Sequence, residues 1–287
     1  MPTNENPVTQ IAQMSQAILE SGQKLTLNDT MTFSCHPGVP CFGNCCADVN
    51  ILLTPYCVLR LKRGLKISSE EFVSKYAMSP PISEQNRIPL VFLRMSDNEK
   101  KTCPFLTEKG CGVYEDRPWA CRMYPLGVAS QKTATNPYGE QFYYLIHEPQ
   151  RCKGHGIGEA KTLAEYVVEQ GVPDYDRMND LFRELTLHPF FRTEGQMLPP
   201  QQVQMFYMAC YNLDLFKRFL FNSRFFEMME IPADMPARLR EEEEELLTFA
   251  FQWLRFSLFG EGPIKVKPAV MEAKREELAR KHAEQEK

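Results

Sequence analysis

FSCHPGVPCFGNCC, residues 33–46, holds Cys35, Cys41, Cys45 and Cys46 among Pro37, Gly38, Pro40 and Gly43. No helical or strand periodicity survives that punctuation, so the stretch reads as a loop. One cysteine alone is most often a small buried apolar side chain. Four in one Gly- and Pro-rich loop point instead to thiolates gathered around a metal. A second block follows, Cys103-x7-Cys111-x9-Cys121, and then Cys152. A thiolate is a soft, anionic ligand that suits Zn²⁺, Cu(I) and iron–sulfur clusters. Four thiolates close one zinc site or one cluster, and eight permit two.

The adjacent Cys45 and Cys46 narrow the geometry. Neighbouring side chains of an extended chain point to opposite sides, so the simplest arrangement sends the two sulfurs to different sites. The pair is expected to be a hub between two metal centres, or between one centre and one reactive thiol. The candidate ligands are Cys35, Cys41, Cys45, Cys46, Cys103, Cys111, Cys121 and Cys152. Cys57 in PYCVLRL and Cys210 in MFYMACYNL sit at helical core positions and read as structural.

The flanking residues suit ligation. Gly38, Gly43, Gly110 and Gly112 let the backbone wrap a centre and aim N–H groups at sulfur. Phe33, Phe42, Phe105, Tyr114, Trp119 and Tyr124 could exclude water. Arg117 and Arg122 bracket Cys121, and are expected to pair with Glu115 or Asp116 and to offset the charge of a thiolate site. His36 and His155 are lesser candidates to replace a thiolate.

Composition sets the outer bounds. Ten cysteines in 287 residues is the outlier, with a net charge of −4. That charge creates no basic field to draw the whole molecule to nucleic acid. MPTNENPVTQ has no basic segment leading into an apolar one. No run approaches the roughly 18 apolar residues of a spanning helix. A cytoplasmic protein is expected, where thiols stay reduced and cysteine clusters bind metal. No G-x-S-x-G or H-E-x-x-H is present, and the glycine-rich residues 153–158 fit neither a P-loop nor a Rossmann pattern.

Outward from the cysteine blocks, residues 8–21 have helical spacing. Thr54-Pro55 reads as a cap and first position of a short helix ending at Gly64. Ser68 with Glu71 opens another helix, to about Tyr76. Residues 88–95 read as a strand. Met123–Ala129 is expected to pair with residues 141–147 across a turn near Asn136-Pro137. Helices are expected over 159–171, 174–187, 201–229 and 235–259, and a charged helix or tail over 270–287. The chain then divides into an N-terminal helix (1–27), a cysteine-cluster metal domain (28–156), a helical domain (157–262) and a charged tail (263–287). The fold class is α+β, mostly α: a small irregular metal module with short strands, then a helical half. The aromatic stripes of that half suit helix–helix core, with a protein-partner surface as the alternative.

The first block, followed by Cys103-Pro104-Phe105-Leu106, Cys111, Tyr114, Arg117-Pro118, Cys121-Arg122 and Pro125, resembles the YkgJ-type cysteine-cluster family. The resemblance covers about residues 33–152. This sequence departs from it in the longer gaps between its leading cysteines. The resemblance implies zinc or iron chelation through eight shared cysteines. A flagellin lysine N-methylase branch with a similar block implies an iron–sulfur cluster, and nothing in the family fixes one reaction. The leading expectation is one or two [4Fe–4S] clusters in a redox or accessory role. The alternatives are structural Zn²⁺ sites in a protein-interaction module, and a lysine N-methylase-like enzyme.

Overall fold

A computed structural model describes residues 24–83, 87–131, 140–193 and 195–285. The helix expected at 8–21 and the turn near Asn136-Pro137 lie outside the described residues. The chain separates into two compact units, one up to Pro199 and one from Pro200 onward.

In the first unit, β1 (Thr30–Phe33) leads into the cysteine loop, which ends in a single 3-10 turn, Asn44–Cys46. β2 (Leu52–Leu53) precedes α1 (Pro55–Leu65), whose start is the expected one. The Thr54 hydroxyl accepts the Cys57 N–H, and Pro55 has no N–H left to satisfy. Such a cap contributes about 1 kcal/mol. Lys66, in the left-handed region at φ 56, ends the helix just beyond Gly64. α2 (Ser69–Tyr76) starts where the Ser68 hydroxyl accepts the Glu71 N–H. β3 (Ala77–Met78) and β4 (Val91–Leu93) complete a three-stranded sheet in the order β2-β4-β3. The strand expected over 88–95 shrinks to the three residues of β4, all buried.

β5 (Leu106–Thr107) and β6 (Gly110–Cys111) form a tight hairpin. α3 (Trp119–Met123) carries Cys121. β7 (Leu126–Gln131) and β8 (Glu140–Leu145) pair antiparallel, from Leu126 opposite Leu145 to Gln131 opposite Glu140. β9 (His155–Thr162) returns to pair with β1, Thr30 facing Thr162 and Phe33 facing His155. Residues 159–162 are therefore strand, where a helix was expected. The helix α4 (Leu163–Glu169) begins only after a capping box between Thr162 and Glu165. α5 (Val172–Thr186) follows Gly171. Met31, Met123, Leu126, Leu163, Tyr166 and Val172 are buried together, with Phe33, Trp119 and Tyr143 packed against them. One core thus ties β1, α3, β7 and α4, the elements that lead into and out of the cysteine segments.

The second unit is helical: α6 (Pro200–Tyr211), α7 (Leu213–Phe221), α8 (Phe225–Met228), α9 (Met235–Glu241), α10 (Glu243–Phe259) and α11 (Pro268–Gln285). A short pair, β10 (Met229–Glu230) with β11 (Lys265–Val266), interrupts them. The two long helices expected at 201–229 and 235–259 are each broken. Asn212 caps α7 through the Leu215 N–H, and Glu242 is extended between α9 and α10. Phe206, Phe216, Leu220, Leu247 and Leu254 are buried, so the aromatic stripes supply core. Among the described residues, no helix is long and apolar enough to cross a membrane. The architecture is α+β with helices predominant, the short strands lying mostly in the first half.

Candidate metal centre

The return of β9 onto β1 brings the first and last cysteines of the pattern together. The Ser34 N–H donates to the Gly154 carbonyl at 3.1 Å. Next to that contact, the Lys153 N–H donates to Cys41 Sγ at 3.1 Å and the Gly154 N–H to Cys152 Sγ at 3.5 Å. Gly154 is required by this close approach. A Cβ there would lie 2.5 Å from the Ser34 carbonyl oxygen and 2.8 Å from the Phe33 ring. The Cys35 thiol is pushed up to about 11 by burial, and then by the like charges of Cys45, Cys41 and Cys152. Cys35, Cys41, Cys45 and Cys152 therefore share one electrostatic neighbourhood.

The remaining sulfurs gather around the β5–β6 hairpin. The Cys103 N–H donates to the Cys46 carbonyl at 2.6 Å, and Ala47 bridges to Thr102. The hairpin register puts Leu106 opposite Cys111. Burial raises the Cys103 thiol. N–H groups of Phe105 and Leu106 at its sulfur oppose that, while Cys111 and Cys45 add to it. The Cys121 thiol is raised by desolvation and then by Cys103, Cys111, Cys57 and Cys45. Cys121 is nonetheless exposed by surface area.

Cys45 and Cys46 join the two neighbourhoods. Gly43, in the left-handed region at φ 83, opens the 3-10 turn that carries both. The Cys46 thiol donates to Cys45, which raises Cys46, followed by burial and by Cys45, Cys103 and Cys121 as like charges. The same hydrogen bond lowers Cys45 to about 7, against the opposing effect of burial. Arg151 lowers Cys45 further. Its guanidinium donates to the carbonyls of Ala47 and Asp48, just past the cysteine pair. Sequence reading missed Arg151, although a basic residue directly before Cys152 was a visible signal. All ten cysteines are free thiols. Among the described residues, no three His, Cys, Asp or Glu side chains stand close enough, as they lie, to hold one ion. The eight candidates are sorted into neighbourhoods, short of ligand spacing.

Arg117 and Arg122 differ from expectation. Both are buried. Arg117 donates to the Tyr114 carbonyl at 2.6 Å and to Gln170 Oε1 at 2.7 Å. Arg122 donates to the carbonyls of Arg117 (3.1 Å), Gln170 (2.7 Å) and Glu115, and lies over the Tyr175 ring. Their donors serve backbone carbonyls in the turn before α3 and the carbonyl and side-chain amide of Gln170. Asp116 pairs with Arg60 at 2.9 Å instead. His36 Nδ1 accepts the Gly38 N–H at 3.1 Å, and His155 Nε2 lies 3.1 Å from the Ile146 carbonyl oxygen. Cys57 and Cys210 are fully buried, as core cysteines should be. Cys57 Sγ accepts the Trp119 N–H at 3.4 Å, which ties α1 to the start of α3.

A sulfur-only donor set with backbone N–H groups directed at Cys41, Cys103 and Cys152 fits a soft, thiolate-bound metal. The same segment is matched by a known family. Residues 34–153 match the CxxCxxCC family. Its description reads "Putative zinc- or iron-chelating domain". The CxxCxxCC segment runs from the residue before Cys35 to the residue after Cys152 and so contains every candidate ligand. Metal binding by this segment is supported. Among curated proteins and solved structures, none matches the chain.

Proposed function

We propose that this protein holds two iron–sulfur clusters of the [4Fe–4S] kind and serves a redox or accessory role in a modification reaction. Cys35, Cys41, Cys45 and Cys152 would hold one cluster; Cys46, Cys103, Cys111 and Cys121 would hold the other. The observation that carries the division is the sorting of like-charge neighbours. Cys35 is influenced by Cys45, Cys41 and Cys152, whereas Cys121 is influenced by Cys103, Cys111, Cys57 and Cys45. Cys45 borders both groups, and its partner Cys46 feels Cys103 and Cys121.

When bound, such a cluster supplies one-electron chemistry tuned by the hydrogen bonds and exposure of its sulfurs. The chain's own contribution is to orient and shield. The Lys153, Gly154, Phe105 and Leu106 amides point at sulfur. Phe33 packs edge-on against Tyr124 and Tyr166 (ring centroids 6.0 and 6.3 Å apart) beside the first group. Arg151 supplies positive charge at Cys45.

The test is anaerobic purification of the full chain with iron, sulfide and zinc quantified. Iron and sulfide in equal amounts, with a broad visible band that bleaches on reduction, support the reading. Colourless protein carrying zinc overturns it in favour of two closed Cys₄ zinc sites.

A further inference from the structure

A pocket of about 290 Å³ opens between the 3-10 turn at Asn44 and the β5–β6 hairpin. No cysteine lines it, so its surface is separate from the thiol chemistry. Backbone contacts fix its frame. The Cys103 N–H donates to the Cys46 carbonyl at 2.6 Å, and Ala47 bridges to Thr102. Across the hairpin, the Thr107 hydroxyl donates to the Gly110 carbonyl at 2.8 Å. Gly110 has φ 107, and a Cβ there would lie 2.8 Å from the Phe42 ring. Phe42 therefore packs directly on the hairpin backbone. With Leu106 and Ala47 it gives the pocket an apolar wall.

Three polar side chains, Asn44, Lys100 and Glu108, also face this space. Among the described residues, none of the three side chains has a hydrogen bond or an ion pair. The Thr102 and Thr107 hydroxyls are by contrast engaged, with Asn98 at 2.8 Å and with Gly110. Lys100 and Glu108 carry opposite charges at one small cavity and do not pair with each other. The cavity thus has a positive pole, a negative pole and an apolar wall. In ligand pockets the apolar surface holds the body of the molecule and a few polar groups orient it. Such pockets range upward from about 300 Å³, so this one takes a compact molecule.

We propose that this pocket binds a free α-amino acid with an aliphatic side chain. Lys100 takes the carboxylate, Glu108 takes the ammonium, and Phe42 and Leu106 hold the side chain. The Asn44 amide both donates and accepts, so it serves either charged group. A ligand with one charge leaves the other pole without a partner, and one with two like charges meets repulsion. The site goes beyond the metal reading and does not depend on it.

The test is titration of the full chain with L-leucine, followed by calorimetry and by amide shifts in NMR. Isocaproate, which lacks the ammonium, and isoamylamine, which lacks the carboxylate, are titrated beside it. Lys100 and Glu108 are exposed, so substituting them leaves the fold intact. Leucine should bind at millimolar concentration or below. Each analogue should bind about tenfold more weakly, since one charge-assisted hydrogen bond is lost. Lys100→Ala should weaken leucine by about the same factor and leave isoamylamine unchanged. Glu108→Gln should do the converse, weakening leucine and leaving isocaproate unchanged. Neither heat nor amide shifts with millimolar leucine overturn the proposal. Analogues that bind as tightly as leucine overturn the zwitterion assignment, and leucine binding unchanged in both variants overturns the placement. None of these outcomes bears on metal content, so the metal reading stands or falls separately.

Discussion

Consider the paired substitutions Cys152→Ser and Cys111→Ser, one from each neighbourhood. Cys152 sits beyond β8, its sulfur next to the Lys153–Gly154 turn that also reaches Cys41. Cys111 lies on the β5–β6 hairpin, in the neighbourhood of Cys103 and of Cys121 on α3. If the eight thiols form two four-ligand centres, each single substitution removes one centre. About half of the bound metal should go and half should stay, and the double variant should retain none. Serine is close to cysteine in size, so neither change opens a large void. Cys210→Ser, in the buried core of the helical unit, should keep full metal content even if it loses about 1–3 kcal/mol for an unpartnered hydroxyl. The assay is metal content per chain after anaerobic purification, with circular dichroism to confirm folding. Loss of all metal from either single variant, in folded protein, refutes the division into two centres. Full retention in both refutes the ligand set itself.

Other consequences follow from the same contacts. Arg122→Met removes its donors from the carbonyls of Arg117, Glu115 and Gln170, of which the first two keep the Tyr175 hydroxyl and the Arg60 guanidinium, and it takes a buried cation from the Tyr175 face. Urea unfolding should show a loss of about 1–3 kcal/mol, with metal content per folded chain unchanged. Gly154→Ala drives a methyl group into the Ser34 carbonyl and the Phe33 ring. A loss of about 1–3 kcal/mol is expected, with the metal deficit confined to the Cys35 and Cys152 side, as read by mass spectrometry of alkylated thiols. Asp176 accepts the Trp119 indole N–H at 2.7 Å, yet burial lifts its carboxyl above the ordinary value. A carboxyl raised by folding stabilises the fold only while protonated, and that contribution is lost as pH rises through its folded value. Asp176→Asn should therefore raise the urea midpoint at pH 7, and the gain should vanish below the ordinary carboxylate range.

The elements that sequence made legible were those with local chemistry. Thr54-Pro55 and Ser68 with Glu71 carry their own start signals, and both helices begin there. The β7–β8 pairing followed from two nearby β-prone runs. β9 was not legible. HGIGEAKT has no buried face along most of its length, so no alternation marks it as strand. Its conformation is decided by β1, far away in the chain. The breaks at Asn212 and Glu242 were hidden inside continuous apolar periodicity, although Asn212 is a good cap residue. In the candidate site, residue type and clustering pointed to the cysteine loop, hairpin and final Cys152. The sequence could not reveal that Arg117 and Arg122 are spent on backbone carbonyls, or that Arg151 is the cation beside Cys45. Those are outcomes of turn geometry, which a linear pattern does not encode.

The clasp of β9 on β1 also orders events in time. The Lys153 amide that meets Cys41 lies 112 residues downstream of it. A ribosome adding about 5–20 residues each second therefore needs several seconds to deliver it. The proposed Cys46, Cys103, Cys111 and Cys121 group is complete in sequence before Cys152 is added. During that interval Cys35 and Cys41 wait as open thiols, vulnerable to oxidants. If the two proposed centres form, nascent chains should acquire their metal in sequence, the hairpin side first.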